Sequence, residues 1–310
     1  MSNRMNFTSK IDRARIAAGR IRQGYFNKSY AQDIERSSRK AGKRVGGVEA
    51  PQLSAFWFRS FPNFGDFLTP WLTGQMGAQP IFAEPGAARV VAVGSLLEML
   101  PDDFEGHVWG TGSMYGTSRL LPGARWQAVR GELTREAYGV GDVALGDPGL
   151  LASRFMIQFR KRWKVGLIPH RVHRAHEAWK AAANRPDFAP CRVIDVTKKP
   201  DIVMREIAEC DFIVSSSLHG IVIADGFGIP AVRARLSESL KGGDFKFDDH
   251  SSAVRSKGTR VVDESALLSR DFLVENIGRA DATSVAERQS SLLRAYSKML
   301  DDMGPLRGNR

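Results

Sequence analysis

The chain has 310 residues, 43% hydrophobic and 25% charged, with 45 Lys/Arg against 34 Asp/Glu and a formal net charge of +11. This length and balance fit a globular protein of about two domains and exclude a disordered or fibrous chain. Two cysteines, Cys191 and Cys210, exclude a disulfide framework or a cysteine-rich zinc site, and no apolar run is long enough for a transmembrane helix.

The N-terminus lacks the apolar core of a signal peptide, so a cytoplasmic protein is expected. Residues 1–50 carry twelve Lys/Arg against four Asp/Glu, which concentrates the positive charge in an N-terminal arm and linker. Within it, Ser9 to Gln23 has the spacing of a basic helix, and Ser37 to Gly47 has linker composition. Such an arm suits an anionic surface, either lipid headgroups or nucleic acid. The remaining chain shows no nucleic-acid motif or basic stripe, so no nucleic-acid partner is expected.

Ser54 to Phe58 reads as the first strand. Pro62, Asn63 and Gly65 then make a turn, and Asp66 is placed to cap the helix carrying Leu68, Trp71, Leu72 and Met76. Arg89 to Val93 is a buried strand closed by Gly94, and Leu96 to Leu100 a short helix. Val108-Trp109 runs into the glycine turn Gly110-Thr111-Gly112-Ser113, where glycines allow close backbone approach by a ligand. The third glycine of a dinucleotide fingerprint is displaced by one residue, to Gly116. Trp126 to Val129 ends at Arg130, a residue suited to bidentate carboxylate or phosphate binding and equally to a surface ion pair. Glu132 to Tyr138 is helical, and Val143 to Leu145 leads to a turn with Asp147 at its tip.

Arg160 to Lys164 is a charged break. Val165 to Ile168 opens a second sheet and ends at Pro169-His170, with Val172 to Ala183 helical beyond it. His170, His173 and His176 are spaced by three, but no nearby carboxylate completes a metal site, and none is expected. Arg192 to Val196 is a strand, and Asp201 to Glu209 an amphipathic helix. Phe212 to Val214 is a β-branched strand that gives way to Ser215-Ser216-Ser217-Leu218-His219-Gly220 and a helix. Ligands of open α/β sheets bind at such strand ends, against the following helix N-terminus. The serines suit a phosphate or carboxylate, and His219 a proton transfer; capping serines and a packed histidine are the plain alternative. Ala231 to Leu236 is a strand, Lys241 to His250 a polar loop, Thr259 to Val262 a last strand, and Ser284 to Met303 a terminal helix.

Two successive sets of strands and helices across a charged break predict an α/β protein with two Rossmann-like domains facing a cleft, the GT-B-like arrangement. The expected divisions are 51–160, 161–283 and the terminal helix 284–310.

In this order the segments NFGDFLTP, AVGSLLEML, VWGTGS, AVRGELTREA, LGDPGLL, GLIPH, DFIVSSSLHGIVIADGFGIPAV and GGDFKFDDH resemble those of the polysaccharide pyruvyl transferases. The likeness is greatest to the ketal pyruvate transferases of exopolysaccharide assembly, and runs from residue 63 to about residue 250. The resemblance implies phosphoenolpyruvate as donor, no cofactor, and a lipid-linked oligosaccharide or polysaccharide acceptor. Two hydroxyls of one hexose would be closed into a cyclic ketal with release of phosphate. It also implies that His219 and a basic residue serve the donor. Ser217 stands where some branches carry arginine, so Arg130 and Lys246 become the candidate cations. Around them, Ser215, Ser216, Ser217, Leu218 and Gly220 would contact the donor, and Gly65, Gly110 and Gly112 would line the cleft. His170 would carry a proton, and Asp66, Asp147 and Asp249 would hold or activate sugar hydroxyls. A lipid-linked acceptor places the protein at the inner face of the cytoplasmic membrane, held there by residues 1–50. A nucleotide-sugar glycosyltransferase of the same fold and a non-catalytic polysaccharide-assembly protein are the alternatives.

Overall fold

The computed structural model describes residues 27–46, 50–157, 159–236, 241–269, 272 and 278–304. It is an α/β structure with two parallel sheets. The first contains β1 (Gln52–Phe56), β2 (Gln79–Phe82), β3 (Val90–Val91), β4 (His107–Trp109), β5 (Arg125–Val129) and β6 (Ala144–Leu145), in the order β2-β1-β3-β4-β5-β6. The second contains β7 (Trp163–Ile168), β8 (Cys191–Val193), β9 (Cys210–Ser215), β10 (Ala231–Ala234) and β11 (Val261–Val262), in the order β11-β10-β9-β7-β8. In each sheet the order reverses beside an inner strand, between β1 and β3 and between β7 and β9. Helices after such strands leave to opposite faces and open a crevice at the strands' carboxyl ends.

The sheets share a core, while a smaller cluster around Leu167, Trp179 and Phe212 belongs to the second sheet alone. One buried cluster joins Leu53, Val91 and Val108 of the first sheet to Ile213, Ile221 and Val222 of the second half. Its centre is α7 (Leu218–Gly226), in which every residue from Leu218 to Asp225 is buried. A helix enclosed on all sides must be apolar all round, and LHGIVIADG nearly is. Its one acid, Asp225, is answered by His250 Nε2 at 3.0 Å and by the Arg255 guanidinium.

Residues 27–46 form helix α1, which corrects the linker expected over residues 37–47. Its glycines mark close packing. A Cβ on Gly42 would lie 2.2 Å from the Ala78 carbonyl oxygen, and one on Gly46 2.1 Å from that of Gly77. Ile34 is 2% exposed, burial that contributes about 1.5–3 kcal/mol. The Tyr30 hydroxyl donates to the Lys198 carbonyl at 2.8 Å, so α1 also touches the second half. Gly42→Ala should therefore lower stability by about 1–3 kcal/mol, read as a lower denaturant midpoint, because backbone faces backbone there and cannot yield cheaply. The basic helix expected from Ser9 to Gln23 lies outside the described residues.

The other helices are α2 (Leu68–Gln75), α3 (Glu132–Ala137), α4 (Ala152–Phe155), α5 (Glu177–Ala183), α6 (Pro200–Ala208), α8 (Phe245–Val254), α9 (Glu264–Leu267) and α10 (Ala282–Met303). The long terminal helix α10 returns to the first sheet, where Trp109 Nε1 donates to the Leu292 carbonyl at 3.0 Å. The continuous helix expected from Val172 to Ala183 is broken into a 3-10 turn, Arg171–His173, and α5, because His176 caps α5 by accepting from the Ala178 N–H. The polar loop expected over Lys241 to His250 is a turn followed by α8, with Phe247, Asp249 and His250 buried.

Candidate active site

The crevices of both sheets meet around His219. This residue lies in the first turn of α7, just beyond the carboxyl end of β9, and is 7% exposed. Its Nε2 faces Asp147 Oδ2 at 3.7 Å, and neither atom has another hydrogen-bond partner. Asp147 comes from the first half, where its other oxygen accepts from the Gly149 N–H at 2.8 Å and caps the 3-10 turn Pro148–Leu151. The remaining edge of the imidazole packs on Gly65, where a Cβ would sit 2.1 Å from Nδ1. Gly65 thus makes room for His219 rather than for a ligand. Gly65→Ala should displace the ring and lower turnover at least tenfold, with little loss of secondary structure by circular dichroism.

Charge around this pair is set by burial. Desolvation, with the nearby cations Arg130 and Lys246, pulls His219 down to about 3, so its enclosed imidazole is neutral. Desolvation pushes Asp147 up to about 6. Asp66 is half-buried and accepts from Asn63 Nδ2 at 2.7 Å; burial raises it to about 7. It does not cap α2, whose N-cap is Phe67 with no side-chain bond. That expectation is corrected, and the carboxyl is left for the cleft. Lys246, in the first turn of α8, donates to the Lys241 carbonyl at 2.7 Å and is brought down to about 8 by burial and by Arg130. His170 closes β7 and accepts from the Val172 N–H at 3.3 Å; burial and Lys246 lower it to about 3.

Arg130 and Asp249 have a different place from the one expected. Both are fully buried. Arg130 Nε donates to Asp249 Oδ2 at 2.7 Å, NH1 to Ser95 Oγ at 2.5 Å and NH2 to the Ser113 carbonyl at 2.6 Å. Asp249 also accepts from the Thr134 N–H and hydroxyl, each at 2.7 Å. The guanidinium passes over Gly112, where a Cβ would meet its Cζ at 2.4 Å. This pair ties the first sheet to α8 and lends the cleft its field from behind; a donor clamp would need the guanidinium turned outward. Gly110 packs on the Pro148 ring, again not on a ligand.

The serines divide the same way. Ser215 Oγ donates to the Ser217 carbonyl at 2.8 Å and accepts from the Ser217 N–H at 3.0 Å, holding the turn. Gly220 lies where a Cβ would strike that same hydroxyl at 2.3 Å. Ser216 Oγ accepts from the His170 N–H at 2.8 Å and joins the two strand ends. Ser217 is the N-cap of α7, and Leu218 opens the helix; the Ser217 hydroxyl makes no capping bond.

One charged residue beside His170 escaped the sequence reading. Arg171 is exposed directly after His170, with its guanidinium 4.3 Å above the Phe61 ring. Its charge is felt by both Asp66 and His170. The available signal was position, since GLIPHR sets an arginine just past a strand end. Of the three spaced histidines, His170 and His173 pack edge to face with ring centroids 6.0 Å apart, whereas His176 turns to Glu264 at 3.9 Å, and among the described residues no group of three or more His, Cys, Asp or Glu could hold a metal ion. No helix among the described residues is long and apolar enough to cross a membrane.

Residues 128–234 match the model of a family described as polysaccharide pyruvyl transferase. That span contains Arg130, Asp147, His170, the three serines and His219. Over 204 residues the chain is 29% identical to the succinoglycan biosynthesis protein ExoV of Rhizobium meliloti (strain 1021), covering 63% of this chain and 62% of that protein. It is 26% identical over 203 residues to an uncharacterized protein of Acanthamoeba polyphaga mimivirus, covering 60% and 69%. The match thus spans less than two thirds of the length of the succinoglycan protein.

Proposed function

From the match of residues 128–234 to the polysaccharide pyruvyl transferase model and the likeness to the succinoglycan protein, we propose that the chain is a pyruvyl transferase that moves pyruvate from phosphoenolpyruvate to two hydroxyls of a hexose in a lipid-linked exopolysaccharide unit. The observation that carries the reading is a neutral, enclosed His219 facing Asp147, with Lys246 and Arg171 supplying positive charge around the same crevice. Two parallel sheets, each with one reversal of strand order, support a GT-B-like arrangement, and the proposed chemistry requires no cofactor.

The donor carries a carboxylate and a phosphate, which Lys246, Arg171 and the N–H groups opening α7 suit. Its negative charge would raise His219 and let the imidazole hold a proton at Nε2, backed by Asp147. Delivery of that proton to the methylene carbon makes the central carbon electrophilic. One sugar hydroxyl adds there, the carbon–oxygen bond to phosphate breaks, and the second hydroxyl closes the ketal. Of the two hydroxyl protons released, one replaces the proton spent on the methyl group and one leaves with phosphate. Asp66, ionised, would take a hydroxyl proton.

Incubation with phosphoenolpyruvate and a lipid-linked oligosaccharide tests this. Release of phosphate together with a mass gain of one pyruvyl ketal is the expected result. Release of nucleotide from a sugar donor, with phosphoenolpyruvate untouched, would favour a glycosyltransferase; no turnover of either would favour an assembly role.

The pH dependence follows from two groups. Asp66 acts ionised, so activity rises as pH passes about 7; Lys246 acts charged, so activity falls as pH passes about 8. A narrow bell in kcat/KM is expected, and Asp66→Asn should remove its acid limb. A profile flat from about pH 6 to about pH 9 would remove both residues from the mechanism.

A further inference from the structure

We propose that a groove between α1 and the edge strand β2 is a second anion site, built for a phosphate-ester headgroup. Its volume is about 310 Å³, and Arg36, Arg39, Lys40 and Lys43 line it together with Gln52 and Gln79. The four cations recur at intervals of three and four, so they share one face of α1. Gln52 opens β1 and Gln79 opens β2. The groove therefore lies at the amino ends of these strands, whereas the catalytic crevice lies at the carboxyl ends. It does not depend on the transfer reaction proposed above.

Among the described residues the charge in this groove is answered only in part. From Arg36 to Gly46 the sequence holds five cations and no carboxylate. The two acids of the preceding turn are drawn elsewhere, Asp33 to Lys199 at 3.5 Å and Glu35 to Arg59 at 3.8 Å. Arg36 reaches Asp33 only at 3.9 Å. Arg36 and Lys40, and Arg39 and Lys43, are like-charged neighbours four apart, an arrangement that destabilises a helix. The helix dipole accounts for cations in the last turn of α1, such as Lys43 and Arg44, but not for Arg36 and Arg39 earlier in the helix. Beside them, β2 is the edge strand of the first sheet among the described residues. An anion with one or two phosphate groups relieves the repulsion and fits the volume.

The test uses the full chain and the double variant Lys40→Glu/Lys43→Glu. Both positions are exposed, and the new acids fall four residues after Arg36 and Arg39. Without anion, the variant should melt close to the parent, because relief of the Arg36–Lys40 and Arg39–Lys43 repulsion offsets the acid placed in the last turn of α1. Inorganic pyrophosphate should raise the melting temperature of the parent more than that of the variant, and vesicles containing phosphatidylglycerol should retain the parent at least tenfold better. Turnover of a water-soluble acceptor should be unchanged. Binding of pyrophosphate alone identifies a soluble phosphate ligand; binding of vesicles alone, absent with phosphatidylcholine, identifies a lipid headgroup. Equal responses of parent and variant to both probes would overturn the site.

Discussion

Replacing His219 by alanine should lower phosphate release from phosphoenolpyruvate by about 10²–10⁴-fold, the range expected for loss of a positioned proton carrier. The fold should survive, because the ring makes no hydrogen bond that fixes the backbone. Its Nε2 is unpartnered and its Nδ1 edge rests on the bare Cα of Gly65. Asp147→Asn should cost less, since it keeps the shape of the pair and weakens only its support for a protonated imidazole. The measurement is turnover alongside thermal melting. Near-normal turnover of His219→Ala with an unchanged melt would move the proton transfer to Asp66 or His170.

Arg130→Ala should destabilise the protein by about 3–5 kcal/mol, the usual result of leaving one member of a buried ion pair uncompensated. Asp249 would keep its two bonds from Thr134 but lose the cation bonded to it. Removing both partners should cost less than the sum of the single losses, by about 1–3 kcal/mol in a double-mutant cycle. Denaturant melts of the three variants measure this. If Arg130→Ala instead keeps full stability and only raises KM for phosphoenolpyruvate, the guanidinium binds donor as the sequence first implied. The geometry opposes that outcome. Gly131 lies so near α8 that a Cβ there would stand 1.7 Å from the Asp249 carbonyl oxygen. This junction is packed shut, with no space for a substrate group to approach from that side.

The parallel strands were legible because β-branched apolar runs ending in glycine or serine have few other stable arrangements in a soluble chain. The same reading failed over residues 37–47, where Gly42 and Gly46 look like linker residues but are the contact points of a packed helix. It failed again at Phe245–Val254. There, polar residues suggest a loop, while the partners that make them tolerable, Arg130 for Asp249 and Asp225 for His250, lie more than twenty residues away in the chain. A local window contains no information about such partners.

The likeness to polysaccharide pyruvyl transferases lies in the order of short motifs, and the sequence by itself determined the α/β class and singled out His219 as a candidate. Each of these depends on neighbours within a few residues, namely strand, turn and helix N-terminus. Only the tertiary structure decided what His219 faces and which charged groups are spent on holding the halves together. Arginine and aspartate have the same chemistry whether they bind a substrate or each other. Burial and distance distinguish the two: Arg130 and Asp249 are sealed 2.7 Å apart, while Asp66, Lys246 and Arg171 are left around the crevice where His219 and Asp147 stand 3.7 Å apart without other partners.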